Sequence, residues 1–115
     1  MTVTHQLTAI LPCNDLDASE AFYGKLGFSC AARHADYRIL SDGKGGALHL
    51  ASAVEGWLVP GRNPFGLYLY AENVDDLAMA LGAKPEDKPW GMYEFALSDP
   101  DETLVRVGRP SNPSH

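Results

Sequence analysis

Two periods of apolar and polar residues alternate along this chain, and their order repeats once. From His5 to Cys13 the period is two. Leu7, Ala9 and Leu11 fall on one side and Thr8, Ile10 and Pro12 on the other, the pattern of a half-buried strand. Pro12 has no N–H to give a ladder, which predicts a strand end or an edge strand. Asn14 or Asp15 then offers an N-cap. Leu16, Ala18, Ala21, Phe22 and Leu26 recur at helical spacing, and Gly27 supplies the stop. Asp17 and Glu20 sit in the first turns of this helix, where its dipole favours acids. Phe28 to Arg33, Tyr37 to Leu40 and Ala47 to Ala51 read as three strands, the last two joined by a Gly- and Asp-rich turn from Ser41 to Gly46. In the last strand Leu48 and Leu50 point to the core and His49 to the opposite face.

After a Gly/Pro-rich stretch from Ala53 to Pro64 the same order restarts. Phe65 to Ala71 alternates as a strand, with Leu67, Leu69 and Ala71 on one side and Gly66, Tyr68 and Tyr70 on the other. Asn73 offers a cap for a helix over Val74 to Leu81, ended by Gly82. Ala83 to Pro89 holds a short strand or only loop. Met92 to Leu97 and Thr103 to Val107 are strands around the turn Ser98-Asp99-Pro100-Asp101. Aligned with itself, the chain matches Asp15-Leu16-Asp17 to Asn73-Val74-Asp75 at an offset of 58, and Leu40-Ser41-Asp42 to Leu97-Ser98-Asp99 at an offset of 57. The second offset also lays Leu48-His49-Leu50 on Val105-Arg106-Val107.

The expected fold is therefore α+β: two βαβββ modules forming curved mixed sheets around a cleft, with helices on the outer face. The modules span about 5–52 and 65–109 within a single domain over 1–109, with a linker at 53–64 and a loose tail over 110–115. Alternation nominates Thr8, Ile10, His49, Gly66, Tyr68, Tyr70 and Arg106 for the cleft side.

Composition narrows the function. A chain of 115 residues with 45% hydrophobic content has enough apolar matter for one core. No apolar run approaches the ~20 residues that cross a bilayer, and the N-terminus has no basic and apolar leader pattern, so a cytoplasmic protein with no membrane partner is expected. The net charge of −6 and the lack of any Lys/Arg cluster argue against nucleic acid, and the excess of acid either favours a cationic ligand or serves solubility alone. Cys13 and Cys30 form no CxxC pair and fit buried thiols. There is no GxSxG, no Walker loop and no GxGxxG opening a helix. Gly43-Lys44-Gly45-Gly46 joins two strands and reads as a hairpin turn.

Two segments carry a family resemblance. Leu11-Pro12-Cys13-Asn14-Asp15-Leu16-Asp17-Ala18-Ser19-Glu20-Ala21-Phe22-Tyr23, followed by Leu26-Gly27-Phe28, resembles the opening of the glyoxalase/bleomycin-resistance/dioxygenase superfamily, the vicinal oxygen chelate proteins. Pro89-Trp90-Gly91-Met92-Tyr93-Glu94-Phe95-Ala96-Leu97-Ser98-Asp99-Pro100-Asp101, followed by Leu104-Val105-Arg106, is similar to the closing motif of the bleomycin-resistance branch. The resemblance implies paired βαβββ modules, a homodimer with ligand clefts shared by both subunits, and sequestration of a cationic or flat aromatic antibiotic without chemistry on it. One position departs from the pattern: Glu102 stands where the closing turn usually has Gly, which predicts a changed turn type.

Enzymes of the superfamily hold a divalent metal at one inward position on each of four strands. Carried over, these positions fall on Thr8, His49, Gly66 and Arg106, of which only His49 is a ligand type. No metal and no cofactor are therefore expected, and the metal-dependent lyase, dioxygenase or thiol transferase is the alternative reading. Sequestration needs aromatic surface with a few polar anchors. Trp57 and Trp90, in Gly/Pro-rich loops, either stack on a ligand or plug the core edge. Tyr37, Tyr68 and Tyr70 either line the cleft or pack at its border. Glu94 pairs with a ligand cation or with a surface base. Arg106 binds an anionic group or pairs internally with Glu94 or Asp101. The candidate ligand-binding set is thus Tyr37, His49, Trp57, Tyr68, Trp90, Glu94 and Arg106.

Overall fold

A computed structural model describes residues 5–111. The chain forms two compact units, one ending at Leu58 and the other starting at Val59. In the N-terminal unit, β1 (Ala9–Cys13), α1 (Leu16–Gly24), β2 (Ser29–Arg33), β3 (Tyr37–Ser41) and β4 (Ala47–Ser52) build a mixed sheet of order β1-β4-β3-β2. In the C-terminal unit, β5 (Gly66–Tyr70), α2 (Val74–Leu81), β6 (Glu86–Asp87), β7 (Met92–Ser98) and β8 (Leu104–Pro110) repeat that order as β5-β8-β7-β6. Each unit is thus a βαβββ module whose first strand pairs in parallel with its last, and whose helix covers one face of the sheet. Among the described residues no helix is long and apolar enough to cross a membrane.

Pro12 lies in β1, an edge strand, where a missing N–H costs the ladder nothing. The strand starts later than its alternation predicts. Ala9 pairs with Leu48 near the start of β4, so residues before Ala9 have no strand to join, and Leu7 is fully exposed instead of in the core. Asp15, not Asn14, caps α1 by accepting the Ala18 N–H at 3.1 Å, while Asn14 Nδ2 donates to the Leu58 carbonyl. The face α1 buries is Leu16, Ser19 and Tyr23, with Leu26 following, and Ala21 faces outward. Asp17 and Glu20 do more than complement the dipole: both accept from Arg38, a buried β3 guanidinium, and Glu20 also binds Arg33. In α2, Asn73 occupies the cap position without a side-chain bond, and Gly82 closes the helix at φ 68°. β8 runs on to Pro110, paired with Met92, and Ser111 N–H donates to the Gly91 carbonyl. The expected tail therefore begins no earlier than Ser111, and 112–115 lies outside the described residues. Cys13 is buried and Cys30 half-buried.

The internal repeat extends to individual hydrogen bonds. Asp42 Oδ1 accepts the N–H groups of Lys44 and Gly46, and Asp42 N–H donates to the Gly46 carbonyl. Asp99 Oδ1 accepts those of Asp101 and Thr103, and Asp99 N–H donates to the Thr103 carbonyl. Gly45 has φ 104° and its counterpart Glu102 has φ 63°. The expected change of turn type does not occur. Glu102 enters the left-handed region because the two amides on either side of it are pinned to one carboxylate. Register agrees with the repeat: Ile10 faces His49 across β1 and β4 as Tyr68 faces Arg106 across β5 and β8.

A non-glycine residue in the left-handed region costs about 1–2 kcal/mol, and glycine loses about 0.5–1 kcal/mol in added chain entropy. Glu102→Gly is therefore expected to stabilise the protein by up to about 1 kcal/mol. Urea unfolding measures it, and an unchanged or lower midpoint means that the turn carries no strain at this residue.

Candidate functional site

Alternation along β5, β7 and β8 divides the side chains of the C-terminal unit between two faces. Tyr93, Phe95, Val105 and Val107 lie on the helix side, where the Tyr93 hydroxyl donates to Asp75 at the start of α2. Tyr68, Tyr70, Glu94, Ala96 and Arg106 lie on the other, open side. Trp90 joins them from the tight turn between β6 and β7, which Lys88 N–H and Gly91 N–H hold through the carbonyls of Met92 and Lys88.

These residues converge on one carboxylate. Glu94 is 1% exposed. Its Oε1 accepts from the Tyr68 hydroxyl and from Trp90 Nε1–H, each at 3.0 Å, and its Oε2 accepts from Arg106 Nη1–H at 3.1 Å. Burial pushes the carboxyl upward, but the hydrogen bonds from Trp90, Tyr68 and Arg106 outweigh it, and Glu94 titrates below its ordinary value of 4.5. The same cluster pushes the Tyr68 phenol up to about 12, through burial first and the Glu94 hydrogen bond next. The Arg106 side chain stays 41% exposed, with its guanidinium carbon 6.0 Å from the centre of the Trp90 ring. Tyr70 lies against Tyr68, ring centres 4.6 Å apart, and Tyr70 and Trp90 are both largely exposed.

Gly108 makes the cluster possible, and it is absent from the sequence-derived set. A Cβ there would lie 2.4 Å from Tyr68 Oη, 2.6 Å from Glu94 Cβ and 2.9 Å from the Tyr93 carbonyl oxygen. The tyrosine ring and the glutamate fold over bare backbone. A glycine inside a strand is the signal that finds it.

The N-terminal unit carries the counterpart. Tyr37 and His49 occupy in β3 and β4 the places of Glu94 and Arg106 in β7 and β8, since Tyr37 faces Ala51 as Glu94 faces Gly108. The Tyr37 hydroxyl and His49 Nδ1 lie 2.7 Å apart, the hydroxyl donating when Nδ1 carries no proton, and the rings meet edge to face at 5.3 Å. A tyrosine–histidine hydrogen bond thus stands where the other unit has a glutamate–arginine ion pair. Trp57 is 82% exposed and has no ring partner among the described residues.

The four metal positions inferred for the superfamily do not fit an ion. Thr8 is a weak donor, Gly66 has no side chain, and Arg106 is a cation held by Glu94. Among the described residues no three His, Cys, Asp or Glu side chains come together as a metal site.

No profile of a known protein family matches the sequence. A bleomycin resistance protein of Klebsiella pneumoniae is 32% identical, in an alignment covering 91% of this chain and 92% of that protein. The chain belongs to the bleomycin resistance protein family. Two solved structures agree. A bleomycin-binding protein in complex with bleomycin superposes with a TM-score of 0.81 at 30% identity, over 94% of this chain and all of that one. A bleomycin resistance determinant encoded on transposon Tn5 gives the same score and identity over 95% of this chain and 100% of its own. The two four-stranded mixed sheets, each with its helix, are thus the fold of bleomycin resistance proteins.

Two outcomes test the cluster. Gly108→Ala forces a methyl against a fixed carbonyl and the Glu94 stem, and is expected to cost about 1–3 kcal/mol in denaturant unfolding. The depressed Glu94 pKa makes the unfolded chain bind more protons in the window below 4.5. Its contribution to stability is therefore complete above that pH and fades as acid is added through the folded-state pKa. The stability gap between wild type and Glu94→Gln should be full near neutrality and shrink below pH ~4.5. A gap constant with pH would mean that the ionised carboxylate is not what holds Tyr68, Trp90 and Arg106.

Proposed function

We propose that this protein sequesters bleomycin, or an antibiotic with similar flat aromatic groups, by metal-independent binding in the cytoplasm and leaves it chemically unchanged. The observation that carries the reading is agreement between two independent lines. Relatives named for bleomycin resistance and bleomycin binding span nearly the whole chain. The C-terminal unit also presents exposed aromatic surface, Trp90 and Tyr70, beside an anchored cation. Such surface suits ring stacking with a few polar contacts, and it has no obvious nucleophile or paired acid and base.

In this reading Trp90, Tyr68 and Arg106 contact the ligand and Glu94 positions them. Tyr37 and His49 contribute the hydrogen-bonded pair of the other unit, and Trp57, on its exposed turn, adds a further stacking surface. The working form is a homodimer with each ligand site completed by both subunits.

Tryptophan fluorescence tests this directly, because Trp57 and Trp90 are the two tryptophans of the chain. Titration with metal-free bleomycin should give a saturable change with Kd in the low micromolar range or tighter, the same with and without EDTA. Trp90→Phe should weaken it about tenfold, the order of one lost aromatic contact with its hydrogen bond. Absence of heat in calorimetry with the same compound would reject bleomycin as the ligand. Sedimentation that finds only the 12.5 kDa monomer at micromolar concentration would reject the shared site.

A further inference from the structure

The open face of the N-terminal unit holds two chemically active side chains in an otherwise uncharged setting. β1, β3 and β4 present chiefly Ile10, Pro12, Ile39 and Ala51 on it, and no acid or fixed cation. Tyr37 and His49 stand among these, both half-buried, with the Tyr37 hydroxyl 2.7 Å from His49 Nδ1. His49 Nε2 has no partner among the described residues. The other tyrosines are placed differently. Tyr68 and Tyr93 donate to the carboxylates of Glu94 and Asp75, Tyr70 is 70% exposed, and Tyr23 is sealed in the core. Imidazole is a stronger base than a carboxylate by about two pK units, and Glu94 is weaker still because three donors already hold it.

Removing one electron from a phenol turns its hydroxyl into a strong acid, so the oxidation is easy only where a base takes the proton in the same step. We propose that Tyr37 and His49 are a one-electron donor site for organic peroxyl radicals, in which the phenol gives the electron and His49 Nδ1 takes its proton. The Tyr37 O–H bond breaks and an Nδ1–H bond forms as the phenol is oxidised to a neutral phenoxyl radical. The peroxyl radical is reduced to a peroxide anion, which takes the proton of Nε2 and leaves as the hydroperoxide. The imidazole is neutral again in its other tautomer, and the sum is transfer of one hydrogen atom from the phenol to the oxidant. The setting selects the oxidant class: a small neutral radical meets apolar neighbours here, and there is no fixed charge to attract an ionic one. This activity needs no antibiotic and stands apart from the capture proposed above.

Pulse radiolysis tests it, with trichloromethylperoxyl radical as the probe and phenoxyl absorbance as the readout. The wild type should form phenoxyl in a fast phase whose rate does not depend on phosphate buffer concentration, because the base is internal. Tyr37→Phe should remove that phase and Tyr70→Phe should leave it. His49→Gln still accepts a hydrogen bond and is no base. It should slow the phase about tenfold, a modest value for loss of a positioned base, and make it rise with phosphate. A fast phase that survives Tyr37→Phe, or one that His49→Gln does not slow, overturns the proposal. So does a wild-type rate that rises with phosphate, a result that needs no variant to fold. Absence of phenoxyl, with the radical on tryptophan alone, overturns it too. Bleomycin is absent throughout, so failure here leaves the capture reading untouched, and failure of capture leaves this one.

Discussion

An ionised carboxylate removed from water must find compensating donors, because leaving it uncompensated costs several kcal/mol. At Glu94 this requirement organises one whole face. Three donors from three separate elements close on its two oxygens: Tyr68 from β5, Trp90 from the β6–β7 turn and Arg106 from β8. To seat the group so deeply, β8 must present bare backbone at Gly108. The exposed aromatic and cationic surface on the outside is the other side of the same arrangement, since each donor turns a polar atom inward and leaves its ring or its remaining N–H groups outward.

Much of this was legible from local patterns. Period-two alternation placed Tyr68, Arg106 and His49 on the faces where they lie, because strand geometry leaves a side chain only two directions. Offsets of 58 and 57 brought the right strands into correspondence. Depth was not legible. Nothing in the spacing of Glu94 distinguishes a sealed carboxylate from one open to a ligand cation, since that depends on how Trp90 folds back from its turn and on the missing side chain at Gly108. Helix α1 misled for a related reason. Ala18 and Ala21 satisfy an apolar face by composition, but the larger Tyr23 and the small Ser19 fit against the sheet better. Leu7 alternated correctly and still lies outside, because its partner strand starts too late to reach it.

The duplicated turns show why the repeat is faint in sequence and plain in structure. Asp42 and Asp99 each gather two main-chain amides, so the residues between them are constrained by backbone geometry and scarcely by side chain. Lys44-Gly45-Gly46 and Asp101-Glu102-Thr103 therefore differ at every position and turn alike. The strand faces diverged under the opposite pressure. Tyr37 with His49 and Glu94 with Arg106 retain one geometry, with a tyrosine–histidine hydrogen bond in one unit and an ion pair in the other.

The crowding at Gly108 divides the face into parts that differ in their freedom to vary through descent. Tyr68, Glu94 and Gly108 touch, so a bulkier residue at one demands smaller ones at the others, and a lineage can alter them only by coordinated replacement. Trp90 sits on a two-strand turn whose main chain is held by its own carbonyls. Exchanging its side chain removes one of the three donors to Glu94 and leaves those of Tyr68 and Arg106, and the main chain of the turn, in place. Changes in which compounds a descendant tolerates would thus accumulate at the turn while the floor beneath it stays conserved, so relatives that share the buried triad can diverge in what they capture.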